Sequence, residues 1–120
     1  MIFSPEERRS IIVESELYAL RAMCQGTAQR SVFSDGRAIL SNYPFLDADH
    51  QLLYDTLCEM NTEAPERIRS LLPARLTKKG FPDFDIQTFF QPHNLAADVA
   101  VSMMEGVQFS ARGKTRFPVH

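Results

Sequence analysis

The segment from Ser4 to Gly26 constrains the fold most, because it predicts one long, sharply bounded helix. Ser4 suits the N-cap, Pro5 the first helical position and Glu7 the third, and together these residues form a capping box. Gly26 suits the position just after a helix, where the backbone turns left-handed. The sequence therefore predicts a helix that ends at about Gln25.

This first helix carries two apolar stripes on nearly opposite faces. Both stripes repeat at helical spacing. The first consists of Val13, Leu17, Leu20 and Cys24, and the second of Ile11, Ser15, Tyr18 and Ala22. A surface helix needs only one such stripe. We therefore expect either a central helix or a helix whose second face meets a partner chain.

Helix signals also recur through the rest of the chain. They predict a helix from Asp47 to Asn61, one from Thr62 or Ala64 to Lys79, a short one within 83–91, and a last one from Gln91 or Asn94 to Glu105. Pro73 predicts a kink or a restart in the second of these helices. Gly80 predicts its left-handed end, and Pro82 prevents continuation.

Two segments are less determined. Between Thr27 and Pro44, Asp35 and Gly36 could form a hairpin turn, but a helix interrupted at Gly36 fits better. At the carboxyl end, Gly106 predicts a helix stop, and the alternating, basic segment 107–119 predicts a small β-hairpin or an extended tail.

The fold class predicted from these elements is mainly α: a compact bundle of four to six helices with a small C-terminal hairpin. We expect one domain over residues 1–120, with a flexible tail over 110–120. Apolar residues make up 44% of the chain, as in ordinary globular proteins. The apolar runs are short, and no signal peptide is evident, so we expect a cytoplasmic protein without a membrane span.

No residue pattern indicates catalysis, a metal or a cofactor, and we expect none of these. Cys24 and Cys58 lack the spacing of a zinc site or redox motif. Asp47 and Asp49 precede His50, but acids in a first helical turn are explained by capping and by the helix dipole.

Charge is distributed unevenly along the chain. Residues 1–66 carry a net charge of −6 and residues 67–120 a net charge of +4. A helix followed by a basic hairpin is the outline of a winged helix, although the last predicted helix contains no lysine or arginine up to Glu105. The residues that could contact a nucleic acid are Lys78, Lys79, Arg112, Lys114 and Arg116.

The leading functional hypothesis is a non-enzymatic protein-interaction or regulatory module that forms a homodimer. It depends on the second stripe of the first helix together with the apolar last helix, which give the chain excess apolar surface. The expected interface residues are Ile11, Tyr18 and Ala22. A winged-helix-like nucleic-acid binder is the first alternative. A small-molecule binder or enzyme with a pocket lined by Phe84, Phe89, Phe90 and the methionines is the second.

Overall fold

The protein is a bundle of α-helices around one long central helix. The computed structural model describes the backbone of residues 4–116 and the side chains of residues 4–111. The helices are α1 (Pro5–Gln25), α2 (Phe33–Ile39), α3 (Ala48–Cys58), α4 (Pro65–Lys78) and α5 (Ala97–Arg116), and a 3-10 helix spans Ile86–Phe90. The described residues contain no strand, which confirms the helical class.

Helix α1 is the central element, and both of its predicted ends are confirmed. Ser4 and Glu7 form the reciprocal capping box, with Ser4 N–H donating to Glu7 Oε1 at 2.8 Å. Gly26 has a positive φ of 73°, and its N–H donates to Ala22 O. Helix α1 contacts each of the other four helices and the 3-10 helix. This central position accounts for the carboxyl-terminal part of both stripes, where Leu20, Cys24 and Ala22 are buried.

The segment before Pro44 folds as one short helix. Val32, at the N-cap, and Phe33 are buried, and α2 runs through Asp35 and Gly36. The expected break at Gly36 is wrong, and so is the hairpin alternative. A Cβ added at Gly36 would lie 2.7 Å from Met23 Cγ, so the missing side chain lets α1 and α2 approach closely.

The end of α4 confirms the predicted left-handed stop. Gly80 has a φ of 100°. Its N–H donates to Thr77 O at 2.9 Å, and Phe81 N–H donates to Leu76 O at 2.9 Å. These two bonds make a Schellman motif. Pro73 lies inside α4, which continues through it without a restart.

The last helix begins later than expected, because the preceding backbone is held by other parts of the chain. Gln25 Nε2 donates to Phe89 O and Gln91 O, and His93 Nε2 contacts Gly26 O at 3.0 Å. Ala97 N–H then donates to the side chain of Gln29, which occupies the place of a cap.

The predicted C-terminal hairpin is wrong, because α5 continues through Gly106 to Arg116. Ala100, Met104 and Val107 are buried, and Ala111 is half-buried, so the apolar face continues at helical spacing beyond Gly106. Burial of this face outweighs the roughly 1 kcal/mol that glycine costs in a helix. The tail expected over 110–120 is helical as far as Arg116, and the remainder lies outside the described residues.

Candidate functional site

A fully buried carboxylate in the middle of α1 organises the most distinctive polar cluster of the described structure. Glu16 has no exposed surface, although it lies among the apolar side chains of the core. Its Oε2 accepts hydrogen bonds from the Tyr43 hydroxyl at 2.6 Å and from Leu46 N–H at 2.8 Å. Its Oε1 lies 2.8 Å from Nδ1 of His50. We call Glu16, Tyr43 and His50 the buried triad.

The buried triad connects α1 to the loop before α3. Tyr43 lies in that loop, and His50 lies in the first turn of α3. Arg9 adds a further link, since its Nη2 donates to Leu46 O at 3.0 Å. The loop is thus held to α1 at two levels, one buried and one exposed.

Hydrogen-bond geometry sets the roles of the triad members. A carboxylate only accepts hydrogen bonds, and both a backbone N–H and a tyrosine hydroxyl already donate to Glu16. Burial first, and then the adjacent Glu16, raises the pKa of Tyr43 well above its usual value, so the hydroxyl keeps the proton that it donates. We therefore assign a proton to Nδ1 of His50, so that this N–H donates to Glu16.

The other ring nitrogen of His50 faces outward. Nε2 has no hydrogen-bond partner among the described residues, whereas every buried side-chain nitrogen and oxygen there has one. Nε2 must therefore reach the surface, even though His50 as a residue is only 6% exposed. The ring is held by an edge-on contact with Phe89, at a centroid distance of 5.7 Å.

His50 is one of the residues that line an open groove of about 570 Å³ between α1 and the start of α3. Its lining consists of Arg9, Ser10, Val13, Glu14, Leu17, Asp47 and His50. Asp47 caps α3, with its Oδ1 accepting from Asp49 N–H at 2.8 Å and from His50 N–H at 3.3 Å. The predicted capping role of Asp47 is thereby confirmed.

The first set of sequence-predicted site residues is divided between surface and core. Ile11 is 46% exposed. Tyr18 is half-buried, and the Arg21 guanidinium lies 5.3 Å from its ring centroid. Ala22 is fully buried within the chain's own core, so no surface for a partner extends across all three residues.

The second set does not form the expected basic hairpin. Lys79 Nζ pairs with Glu59 at 2.6 Å, and Lys78 is exposed at the end of α4. Arg112, Lys114 and Arg116 belong to α5, and their side chains lie outside the described part. The winged-helix hypothesis therefore lacks the hairpin that it required.

The third set lies in the core or packs against it. Phe89 and Phe90 are buried, and Phe84 stacks on Phe89 at 5.8 Å. Arg69 covers the Phe90 ring at 4.7 Å. These aromatic rings pack the 3-10 helix against the rest of the bundle.

The outward face of α5 is the other unusual surface. It consists of Val99, Ser102, Met103, Gly106, Phe109 and Ser110, which we call the α5 face. Phe109 is 76% exposed and Val99 is 46% exposed. Apart from the neighbouring backbone of α5 itself, no atom of the described residues lies within 4 Å of the position that a Cβ of Gly106 would occupy. The sequence marks the last helix as apolar over a broad arc that includes Val99 and Met103, whereas the position of Phe109 on the same face follows only from the continuation of α5 beyond Gly106.

Comparisons with protein-family models, with curated proteins and with solved structures gave no match to this chain. Over the described residues, no helix has the length and apolar character needed to cross a membrane.

Proposed function

We propose that this protein is a non-enzymatic interaction module that forms a homodimer through the α5 face. The observation that carries the proposal is the exposure of Phe109, which is 76% accessible in a helix otherwise packed on the core. Large apolar side chains on a protein surface mark contact sites when they lie together on one face. Val99 and the half-buried Met103 extend this face toward the start of α5.

The shape of the α5 face suits a second helix. Ser102, Gly106 and Ser110 recur every four residues, so small side chains form a shallow track along the helix. The space over Gly106 is open, which allows another backbone to approach closely. Gly106 lies at the middle of α5, where two copies related by a two-fold axis would cross.

The order of charges along α5 favours an antiparallel copy of the same helix. Asp98 and Glu105 lie in its first half, whereas Arg112, Lys114 and Arg116 lie in its last five residues. An antiparallel pair brings the acidic half of each helix over the basic half of the other, and a parallel pair brings like charges together. A second copy of the chain therefore supplies the complementary surface.

This proposal moves the dimer contact away from the surface expected on α1. Helix α1 packs against each of the chain's other helices, and of its second stripe Ala22 is buried in the chain's own core whereas Ile11 remains 46% exposed. A cytoplasmic location remains part of the proposal, because Cys24 and Cys58 are free thiols.

Sedimentation velocity of the wild-type chain and of Phe109→Glu tests the proposal. We expect a dimer for the wild type and a folded monomer for Phe109→Glu, with the same far-UV circular dichroism. Phe81→Glu is the matched control, because Phe81 is 48% exposed but lies after α4, and this variant is expected to remain dimeric. A wild-type chain that stays monomeric at high micromolar concentration refutes the proposal.

A second variant separates association from folding. Gly106→Ala is expected to stabilise the monomer by about 1 kcal/mol, because alanine is the better helix former and no neighbour is displaced. The same methyl group is expected to weaken dimerisation by obstructing the crossing point. If both the stability and the dimer affinity increase, Gly106 does not lie in the contact.

A further inference from the structure

The groove beside His50 lies apart from the proposed dimer contact. Its lining lies on α1, at the end of the loop before α3 and in the first turn of α3, whereas the dimer contact is assigned to α5. The His50 side chain is more than nine-tenths buried, and its Nε2 is the only polar atom of the ring without a partner among the described residues. Glu16 holds the Nδ1 proton, so the neutral ring presents a lone pair at Nε2.

The charges around this lone pair select for a cation. Glu14 and Asp47 line the same groove, and neither has an ion-pair partner in the described structure. Arg9 is the single cation of the lining, and its Nη2 is engaged by Leu46 O. The lining thus carries one positive and two negative formal charges, which favours a positively charged ligand.

The arrangement of these groups suits an organic cation better than a metal ion. The described residues contain no group of three histidine, cysteine or acidic side chains close enough to hold a metal. Among the described residues, Glu14 and Asp47 line the groove together with His50 without forming a metal-ligand cluster with it. Val13 and Leu17 supply an apolar part of the lining, against which an alkyl chain can pack.

We propose that this groove binds a primary ammonium group on a short alkyl chain, with one ammonium N–H donating to His50 Nε2. The alkyl chain lies against Val13 and Leu17, and Glu14 and Asp47 supply the opposite charge. The same chemistry occurs in free alkylamines and in lysine side chains of a peptide.

Titration of butylammonium into protein labelled with ¹⁵N at histidine tests this proposal. The measurement is made at about pH 8, and the ¹⁵N shifts of the two ring nitrogens report whether the His50 ring is neutral. We expect the Nε2 resonance of His50 to shift with saturation, with much weaker responses to 1-butanol and to butyrate. The absence of a saturable shift, or an equal response to 1-butanol, overturns the proposal.

Glu16→Gln is the variant that tests the lone pair without removing the imidazole. Its amide oxygen can replace Oε2 as acceptor for Tyr43 and Leu46, while its NH₂ group donates to Nδ1 of His50. The ring then carries its proton on Nε2, which faces the groove. We expect butylammonium affinity to fall at least tenfold while the circular dichroism is unchanged. Unaltered affinity in a variant whose ¹⁵N shifts report the switched tautomer contradicts the assigned role.

Arg9→Gln is expected to strengthen butylammonium binding about two- to fivefold, because it removes the one cation of the lining. Arg8→Gln is the matched control, since Arg8 lies next in the chain but outside the groove, and it should leave the affinity unchanged. Weaker binding by Arg9→Gln would contradict the electrostatic argument.

Blocked lysine, acetylated at the α-amine and amidated at the carboxyl group, distinguishes the two sources of the ammonium group. Binding at least tenfold tighter than that of butylammonium indicates a peptide ligand. Equal or weaker binding indicates a free amine.

Discussion

Replacement of Glu16 tests the reading of the buried triad most directly. Glu16→Ala removes the acceptor for Tyr43 and His50, both of which are buried, and for the half-buried backbone of Leu46. Each stranded buried donor costs about 1.5–2 kcal/mol, so the two buried groups together predict a loss of about 3–4 kcal/mol.

The loss is large compared with the stability of a domain of this size. Folded domains are stable by about 5–15 kcal/mol, so Glu16→Ala is expected to lose a substantial fraction of this free energy. For a chain of this length we expect a decrease in Tm of about 12–16 °C, at about 4 °C per kcal/mol. The chain contains no tryptophan, so urea unfolding is best followed by far-UV circular dichroism.

Two comparisons make this prediction specific. Glu16→Gln should lose only about 1 kcal/mol, because glutamine can serve all three partners once the His50 tautomer switches. Glu14→Ala should change stability by less than about 0.5 kcal/mol, because Glu14 is exposed on the same helix. If Glu16→Ala loses less than about 1 kcal/mol, or if Glu16→Gln loses as much as Glu16→Ala, the triad does not hold the loop as described.

Three further predictions concern packing, a helix end and a buried thiol. Gly36→Ala should destabilise the fold by about 1–2 kcal/mol, because overpacking against the buried Met23 outweighs the gain in helix propensity. Met23→Ala should reduce that cost in a double-mutant cycle measured by urea unfolding. Gly80→Ala should destabilise by about 1 kcal/mol through its positive φ alone, because no atom lies within 4 Å of the added Cβ, and an unchanged unfolding midpoint would contradict this. Burial raises the pKa of Cys24 from 9.0 to about 12, so the native chain should react with a thiol reagent at Cys58 well before Cys24. Because the folded pKa of Cys24 is raised, its contribution to stability is complete below pH 9 and is lost as the pH rises toward 12. Unfolding of the wild type and of Cys24→Ala at graded alkaline pH should therefore show different slopes of unfolding free energy against pH.

Local signals in the sequence predicted helix ends better than helix extents. Ser4, Glu7, Gly26 and Gly80 act within one turn of their own helix, so neighbours in the sequence are enough to predict them. The start of α5 depends instead on Gln29, which caps Ala97 from 68 residues away. No local pattern contains that information, and the sequence therefore placed the start too early.

The C-terminal error has a different physical cause. Two readings compete after Gly106, since Val107 and Phe109 alternate as in a strand, while Val107 and Ala111 are spaced as in a helix. Gly106 favoured the prediction that the helix stops there. In the folded chain Val107 is buried and Phe109 is exposed, so the helical period determines which side chains reach the core. Burial on one face decided the outcome against the intrinsic preference of a single residue.

The buried triad could be predicted from the sequence only in part. Glu16 interrupts an apolar series at helical spacing with Ile12, Ala19 and Met23, and a carboxylate in that position must find donors if the stripe is buried. This pattern alone could have marked Glu16 as the centre of a buried polar site. Its donors could not be deduced in the same way, because Tyr43 and His50 follow it by 27 and 34 residues, across a segment whose secondary structure was itself unresolved in the sequence. A buried charge thus predicts that partners exist, whereas only the path of the chain determines which residues they are.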